Sequence, residues 1–234
     1  MRKVLVIQHV PHEGLGTIGG SLREAGLKTE FLKTYENARM PADIKGYSAL
    51  IVMGGPMGVY EDDIYPFIKK ELRLIESALK GDTPVLGVCL GSQMLAKAAG
   101  ARVYKGKAKE IGWYSTSLTE SGRADRLFTG FPDEFTVFQW HGDTFDVPPG
   151  GVNLASSELF PHQAIRVGRR SYGFQFHLEV TEEMISGWIG VNADELRPLK
   201  AIDPARIIKE TPERIKTLHR YGGTVVSRFL RLVD

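Results

Sequence analysis

Cys89, the only cysteine of this 234-residue chain, lies in PVLGVCLGSQMLAKAAG at the junction of an apolar run and a helix-favouring run. Val85, Leu86 and Val88 have the character of a short buried strand, whereas Gln93, Met94, Leu95, Ala96 and Ala98 favour a helix that can end at Gly100. A residue at such a sharp strand-to-helix turn projects its side chain outward, and the flanking glycines Gly87 and Gly91 let neighbouring backbone pass close. The positive end of the helix favours thiolate over thiol, and its free N–H groups can receive an oxyanion. A free cysteine is more often a small buried hydrophobe. The turn is what assigns this one a chemical role.

A thiol nucleophile needs a base, and SYGFQFHLEV supplies one. Tyr172, Phe174 and Phe176 favour a strand, on which residues two apart face the same side. His177 and Glu179 then point together, so the carboxylate can fix the imidazole tautomer while the other ring nitrogen faces Cys89. An isolated His-x-Glu is ordinarily a solvated pair, and its combination with the elbow makes the difference. A third segment, ALIVMGGPMGVYEDD, runs from a buried strand, Ala49 to Met53, into a glycine-rich loop. Gly54 and Gly55 can turn their amides toward a carbonyl oxygen approaching Cys89, which makes the Gly55 amide one oxyanion donor and the Leu90 amide the other. A glycine-proline cluster alone would be only a turn. No GxxxxGK[ST] is present and the glycines do not match a dinucleotide fingerprint, so a phosphate-binding loop is a poor reading.

On the motifs GVCLGSQ, FQFHLEV and MGGPMG, the chain resembles the class I (triad) glutamine amidotransferases, especially stand-alone members similar to the amidotransferase domain of GMP synthase. The resemblance runs from the first strand to about Glu179, with one departure at Leu178, where many members have proline. It implies a Cys89–His177–Glu179 triad acting on the γ-carboxamide of glutamine, or on another γ-glutamyl substrate, through a cysteinyl thioester and without a cofactor. It also places the WHGD-like segment of FTVFQWHGDTFDVP in the substrate pocket, so that Gly54, Gln93, His141, Gly142 and Asp143 become candidate substrate-binding residues. Asp143 would receive the α-ammonium, and Gln93 would face the carboxamide or the amino-acid end. His141 is a rival base, and it is expected to support or line the site.

Three functions are compatible with that resemblance. One is a glutaminase releasing ammonia to an acceptor activated by a separate synthase, since no P-loop or synthetase segment is visible. The second is a self-sufficient γ-glutamyl amide or peptide hydrolase. The third is a silent regulatory or binding protein of the same fold, for which the sign would be a broken triad.

The elements that must position these groups follow the order of an α/β fold. VLVIQHV, TEFLKTY, ALIVM and VLGVC read as strands, with LGTIGGSLREAG and YPFIKKELRLIESALKG as helices between them. STSLT, FTVFQW, VNLASS, QAIRVG and SYGFQFH add further strands. The expected architecture is an open, mostly parallel but mixed sheet flanked by helices, flavodoxin-like, with functional loops at the strands' carboxyl ends. Residues 1–180 form the expected catalytic domain and residues 181–234 a helical extension packed on it. Thr181 caps EEMISGWIG, Thr211 and Pro212 read as the cap and first position of a later helix, and Val225, Val226, Phe229, Leu230 and Val233 form an apolar stripe for packing or for a partner.

Lys and Arg number 30 against 28 Asp and Glu, a net charge of +2 that offers no footprint for nucleic acid or an anionic membrane. The brief basic segment Lys105 to Glu110 is expected to be a solvated loop, with a placement at the site mouth as the alternative. A single cysteine excludes an intramolecular disulfide, and the opening apolar run is too short for a signal peptide or membrane span, so a cytoplasmic location is expected. His9, His12 and Glu13 lack helical spacing and cysteine partners, which favours a polar loop over a metal site. His162 and His219 have no supporting context.

Overall fold

The computed structural model describes residues 2–36 and 38–233. The first half alternates strand and helix: β1 (Lys3–Gln8), α1 (Thr17–Glu24), β2 (Lys28–Lys33), a 3-10 turn (Thr34–Glu36), β3 (Ala49–Val52), α2 (Phe67–Lys80), β4 (Val85–Val88) and α3 (Leu90–Ala98). The second half is β-rich and then helical: β5 (Val103–Leu118), α4 (Glu120–Ala124), β6 (Glu134–Phe145), β7 (Val152–Ser156), β8 (Ala164–Val167), β9 (Ser171–Phe174), α5 (Glu182–Val191), α6 (Ala193–Leu196) and α7 (Pro204–Leu230).

One sheet carries the strands in the order β2-β1-β3-β4-β9-β8-β7-β5-β6. The pairings from β2 through β9 are parallel, and those from β9 through β6 are antiparallel, which is the mixed sheet expected. The central parallel strands β3 and β4 are buried on both faces and read as continuous apolar runs. Alternation then sorts the strands' side chains. Val4 and Val6 pack with the buried faces of α1, α5 and α7, whereas Leu5 and Ile7 pack with those of α2 and α3. The chain leaves β1 for β2 on one side and returns to β3 on the other, so the strand order reverses at β1. In open α/β sheets that crevice, beyond the strands' carboxyl ends, is where ligands bind.

The apolar stripe of the last helix is internal packing: Val225, Val226, Phe229, Leu230 and Val233 are buried in the core shared with the sheet. No helix among the described residues is long and apolar enough to cross a membrane.

Two local expectations are corrected. Thr211 and Pro212 do not start a helix; both lie inside α7, which begins at Pro204 with Asp203 as its cap, accepting from the Ala205 and Arg206 amides. The Thr211 hydroxyl is buried and donates to the Ile207 carbonyl one turn back, while Trp113 Nε1 donates to it, so this threonine is held by helix and sheet rather than freed to cap. Lys105 to Glu110 is not a loop but part of β5, where the register with β6 shifts between Lys105 and Glu110. That irregularity turns its lysines toward the cavity described below and leaves Glu110 fully buried.

The elbow is seated by close backbone approach. A methyl group at Gly91 would lie 2.0 Å from the Val52 carbonyl oxygen, and one at Gly87 would lie 2.4 Å from the Gly91 carbonyl oxygen. Gly91→Ala is therefore expected to push α3 off β3 at a cost of about 1–3 kcal/mol. At roughly 2–4 °C per kcal/mol for a chain of this size, calorimetry should show the melting temperature falling by several degrees.

Candidate active site

The thiol is positioned by backbone strain. Cys89 adopts φ 51° and ψ −109°, a conformation that L side chains rarely occupy and that is stored where the surroundings over-determine it. The surroundings here are the Cys89 amide donating to Phe174 O at 2.8 Å, the Ser92 amide donating to Cys89 O at 2.9 Å, and the Ser92 hydroxyl donating to the same carbonyl at 2.7 Å. The Sγ atom lies 3.6 Å from the Trp140 carbonyl oxygen and 3.6 Å from Gln175 Nε2.

His177 reaches Cys89 by a route different from the expected one. The strand β9 ends at Phe174, and His177 is held instead by an isolated bridge to Phe138 of β6, its amide donating to Phe138 O at 2.8 Å. Its ring stands edge-on to Trp188 of α5 at 4.8 Å. Nδ1 is 2.7 Å from Glu179 Oε1, and the imidazole hydrogen-bonds the Cys89 thiol, leaving Nε2 as the nitrogen that faces sulfur. Glu179 is buried, and its second oxygen has no hydrogen-bond partner among the described residues. Burial opposes charge on His177, but the Glu179 carboxylate and the thiol outweigh it and raise the imidazole well above its ordinary value. Burial pushes the Cys89 thiol up, while the hydrogen bond and charge of His177 pull it down. Burial prevails, so the thiol is held above its ordinary value, and thiolate exists only as one half of an ion pair with the His177 imidazolium.

A cavity of about 690 Å³ opens over this pair, lined by Cys89, His177, Gly55, Gln93, His141, Gly142 and Asp143 among others. Gly54 and Leu90, the chain neighbours of Gly55 and Cys89, are buried and are not among the residues lining it. The Leu90 amide is the first N–H of α3, and a methyl group at Gly55 would lie 3.0 Å from Leu90 Cδ2, so the Gly55 turn packs against the Leu90 side chain. Gln93 is buried, and its amide nitrogen donates to Gln175 Oε1 at 3.1 Å, so its donor is directed into the protein. Asp143 hydrogen-bonds the Tyr60 hydroxyl, which burial and that carboxylate together raise above the ordinary phenol range.

The carboxylate partner of His141 is not Asp143, two residues away, but Glu110 from the neighbouring strand β5, 3.0 Å from its Nε2. Its Nδ1 donates to the Asp143 carbonyl at 2.9 Å, so both nitrogens are engaged. Glu110 also accepts from Gln163 and Ser157, each at 2.6 Å. This is a buried strut, and it leaves His141 no ring nitrogen free to face Cys89.

His9 forms another strut rather than a polar loop, with Nδ1 donating to Gly54 O at 2.9 Å and Nε2 3.0 Å from Glu71. Burial opposes its charge, but Glu71 prevails and raises it. The sequence pattern also missed what the helical extension contributes. Trp188 and Glu195 line the cavity, and Glu195 takes Lys109 Nζ at 2.6 Å and Trp140 Nε1 at 3.2 Å, which closes α6 against β5 and β6. Glu13, dismissed with its loop, also lines the cavity; burial raises it to about 6 against the attraction of His177. Its signal was slight: one acidic residue in the loop after the first strand, at the sheet's reversal point.

A family model described as glutamine amidotransferase class-I matches residues 17–185. The chain is 34% identical over 196 residues to the glutamine amidotransferase-like protein YfeJ of Salmonella typhimurium, covering 81% of this chain and 82% of that one. It is 33% identical over 235 residues to a glutamine-hydrolyzing GMP synthase of Pyrobaculum aerophilum, of which it spans only 42% of the length. A glutamine amidotransferase structure from Thermotoga maritima superposes with a TM-score of 0.88 at 40% identity, covering all of this chain and 98% of that one. One from Methylobacillus flagellatus gives 0.91 at 32% identity, covering 100% and 96%.

The raised Glu13 has a definite linkage sign. With its folded value at about 6 against an ordinary 4.5, the native state binds the extra proton, so stability falls as pH rises through that window. Glu13→Gln removes the titration. Urea denaturation of both proteins should show the variant gaining on wild type by up to about 2 kcal/mol between pH 4.5 and pH 7.5, at roughly 1.4 kcal/mol per unit. A pH-independent difference would contradict the raised value.

Proposed function

From the premise that the chain belongs to the class I glutamine amidotransferase family, we propose that it hydrolyses the γ-carboxamide of glutamine through a thioester on Cys89. The observation that carries this reading is the strained Cys89 hydrogen-bonded to an imidazole whose other nitrogen is held by the buried Glu179. The Cys89 thiolate adds to the γ-carbonyl carbon, and the carbonyl electron pair moves to oxygen, facing the Gly55 and Leu90 amides. Collapse breaks the C–N bond, and the nitrogen takes the His177 Nε2 proton as it departs. Water then gives a proton to His177 and adds to the thioester, releasing glutamate and the thiolate. Glu179 holds the imidazole orientation throughout and stabilises its charge. Asp143, at the cavity wall, is suited to the substrate's α-ammonium. The complete triad weighs against a silent binding protein.

One observation favours a second reading. A cavity of about 690 Å³, walled on one side by α5 and α6, falls in the range of sites for molecules well above the size of free glutamine. It suits a γ-glutamyl amide or peptide with an extended leaving group, cleaved by the same steps without a partner. In the first reading, released ammonia passes to an acceptor activated by a separate synthase.

Steady-state kinetics on glutamine and a panel of γ-glutamyl peptides separates the two: turnover near the enzyme median of about 10 s⁻¹ on a peptide, with weak glutaminase activity, selects the hydrolase. On whichever substrate is turned over, Cys89→Ala should abolish activity and His177→Ala should cost about 10²- to 10⁴-fold in kcat. Glu179→Gln should cost less than His177→Ala. Substantial hydrolysis by Cys89→Ala, or a His141→Ala defect equal to that of His177→Ala with Cys89 alkylation lost only in the former, would overturn these assignments.

A further inference from the structure

Among the ionisable groups that line the cavity and that the steps above leave unused, Glu13 is the one brought closest to the reacting imidazole, at the Gly54 gap. It stands in the loop between β1 and α1, at the reversal point of the sheet, and that loop is pinned on several sides. The His9 side chain bonds Gly54 O and Glu71, the His12 carbonyl accepts from Trp188 Nε1 at 2.9 Å, and the Thr17 amide donates to Glu179 O at 2.9 Å. The carboxylate is aimed at the reacting groups. A methyl group placed at Gly54 would lie 2.2 Å from Glu13 Oε2 and 3.4 Å from His177 Cε1, so Gly54 is the gap through which this carboxylate and the imidazole share one space.

No donor among the described residues hydrogen-bonds the Glu13 carboxylate. The two imidazoles in its field already have carboxylates of their own, Glu179 for His177 and Glu71 for His9. A preorganised acceptor without a donor, in the wall of a site, calls for a donor on the substrate. The α-ammonium of a γ-glutamyl group is an unsuitable candidate, because it lies four bonds from the reacting carbon, about 5 Å along the chain, and Asp143 stands at the cavity wall for it. The donor next to the reacting carbon is the N–H of the scissile amide.

We propose that Glu13 is a positioning and specificity residue whose carboxylate accepts a hydrogen bond from the scissile amide nitrogen. The proposal rests on Cys89 being the acceptor of a γ-glutamyl group. As sulfur adds and the nitrogen becomes pyramidal, the N–H held by Glu13 fixes the rotation of the nitrogen, and its lone pair is directed at the His177 Nε2 proton. Glu13 neither gives nor takes a proton; the C–N electron pair leaves with nitrogen and the proton comes from His177. A glutamine amide offers two N–H groups and a substituted γ-glutamyl amide one, so both meet the requirement. An oxygen ester offers none, and the site rejects it by leaving the acceptor unpaired, the asymmetry that lets a hydrogen-bonding pocket discriminate far better than an apolar one.

The test compares kcat/KM for L-glutamine, a γ-glutamyl anilide and L-glutamate γ-methyl ester in wild type, Glu13→Ala and Glu13→Gln. The amide-to-ester ratio should fall about 10- to 100-fold in Glu13→Ala. Glu13→Gln, whose side-chain oxygen still accepts, should recover part of it. A ratio unchanged in both variants, whether the two substrate classes decline together or not at all, overturns the proposal. Failure of the wild type to cleave any of the three substrates would instead overturn the reading on which it rests, and the proposal with it.

Discussion

The parallel pairing of β4 with β9 is the constraint on which the site depends. Val88 and Phe174 are register partners, and the next hydrogen bond along the ladder, from the Cys89 amide to Phe174 O, holds the elbow in its disfavoured conformation. The same pairing sends the chain out of β9 beside Cys89, so a few residues later His177 meets the thiol. Both groups therefore emerge from adjacent carboxyl ends of one rigid, fully buried layer. The elbow's strain is tolerated because Gly87 and Gly91 let α3 sit against β3 and β4 with no room for an alternative path.

Three buried histidine–glutamate pairs surround this point, and their geometry divides their roles. In His9–Glu71 and His141–Glu110 both ring nitrogens are engaged by the protein, one by the carboxylate and one by a backbone carbonyl. These pairs brace the Gly54 turn and the β5–β6 hairpin. In His177–Glu179 the carboxylate takes Nδ1, and the remaining nitrogen meets a thiol at the floor of a cavity. The same chemical pair is structural when closed and available for proton transfer when one nitrogen faces an open site. The helical extension completes the enclosure, since Trp188 packs on the His177 ring and Glu195 ties α6 to Lys109 and Trp140.

How much of this was legible in the sequence follows from the range of each interaction. The strand-to-helix elbow, the apolar parallel strands and the capping of α5 by Thr181 are set by residues within a few positions of one another, and they stand as expected. His177 and Glu179 face one way as the strand alternation implied, but the strand ends at Phe174 and a bridge to Phe138 does the positioning. The Glu110–His141 pair spans 31 residues, a distance at which no i, i+2 rule operates. Thr211–Pro212 has the local signature of a helix start, and only the earlier Asp203–Pro204 cap and the buried hydroxyl of Thr211 show why it is not one. Glu13 looked like any polar loop residue, because its significance comes from β1 lying beside β3 at the reversal of strand order.

The central claim is that Cys89 becomes covalently acylated while His177 serves it alone among the buried histidines. Acid quench of the protein during steady-state turnover, followed by peptide mapping with mass spectrometry, tests it most directly. The account predicts one glutamyl adduct on the peptide carrying Cys89, labile to hydroxylamine as a thioester is, lost in Cys89→Ala, and retained in His141→Ala. Sustained release of ammonia or amine from a γ-glutamyl substrate by Cys89→Ala, or a glutamyl adduct mapped to any residue other than Cys89, would contradict it.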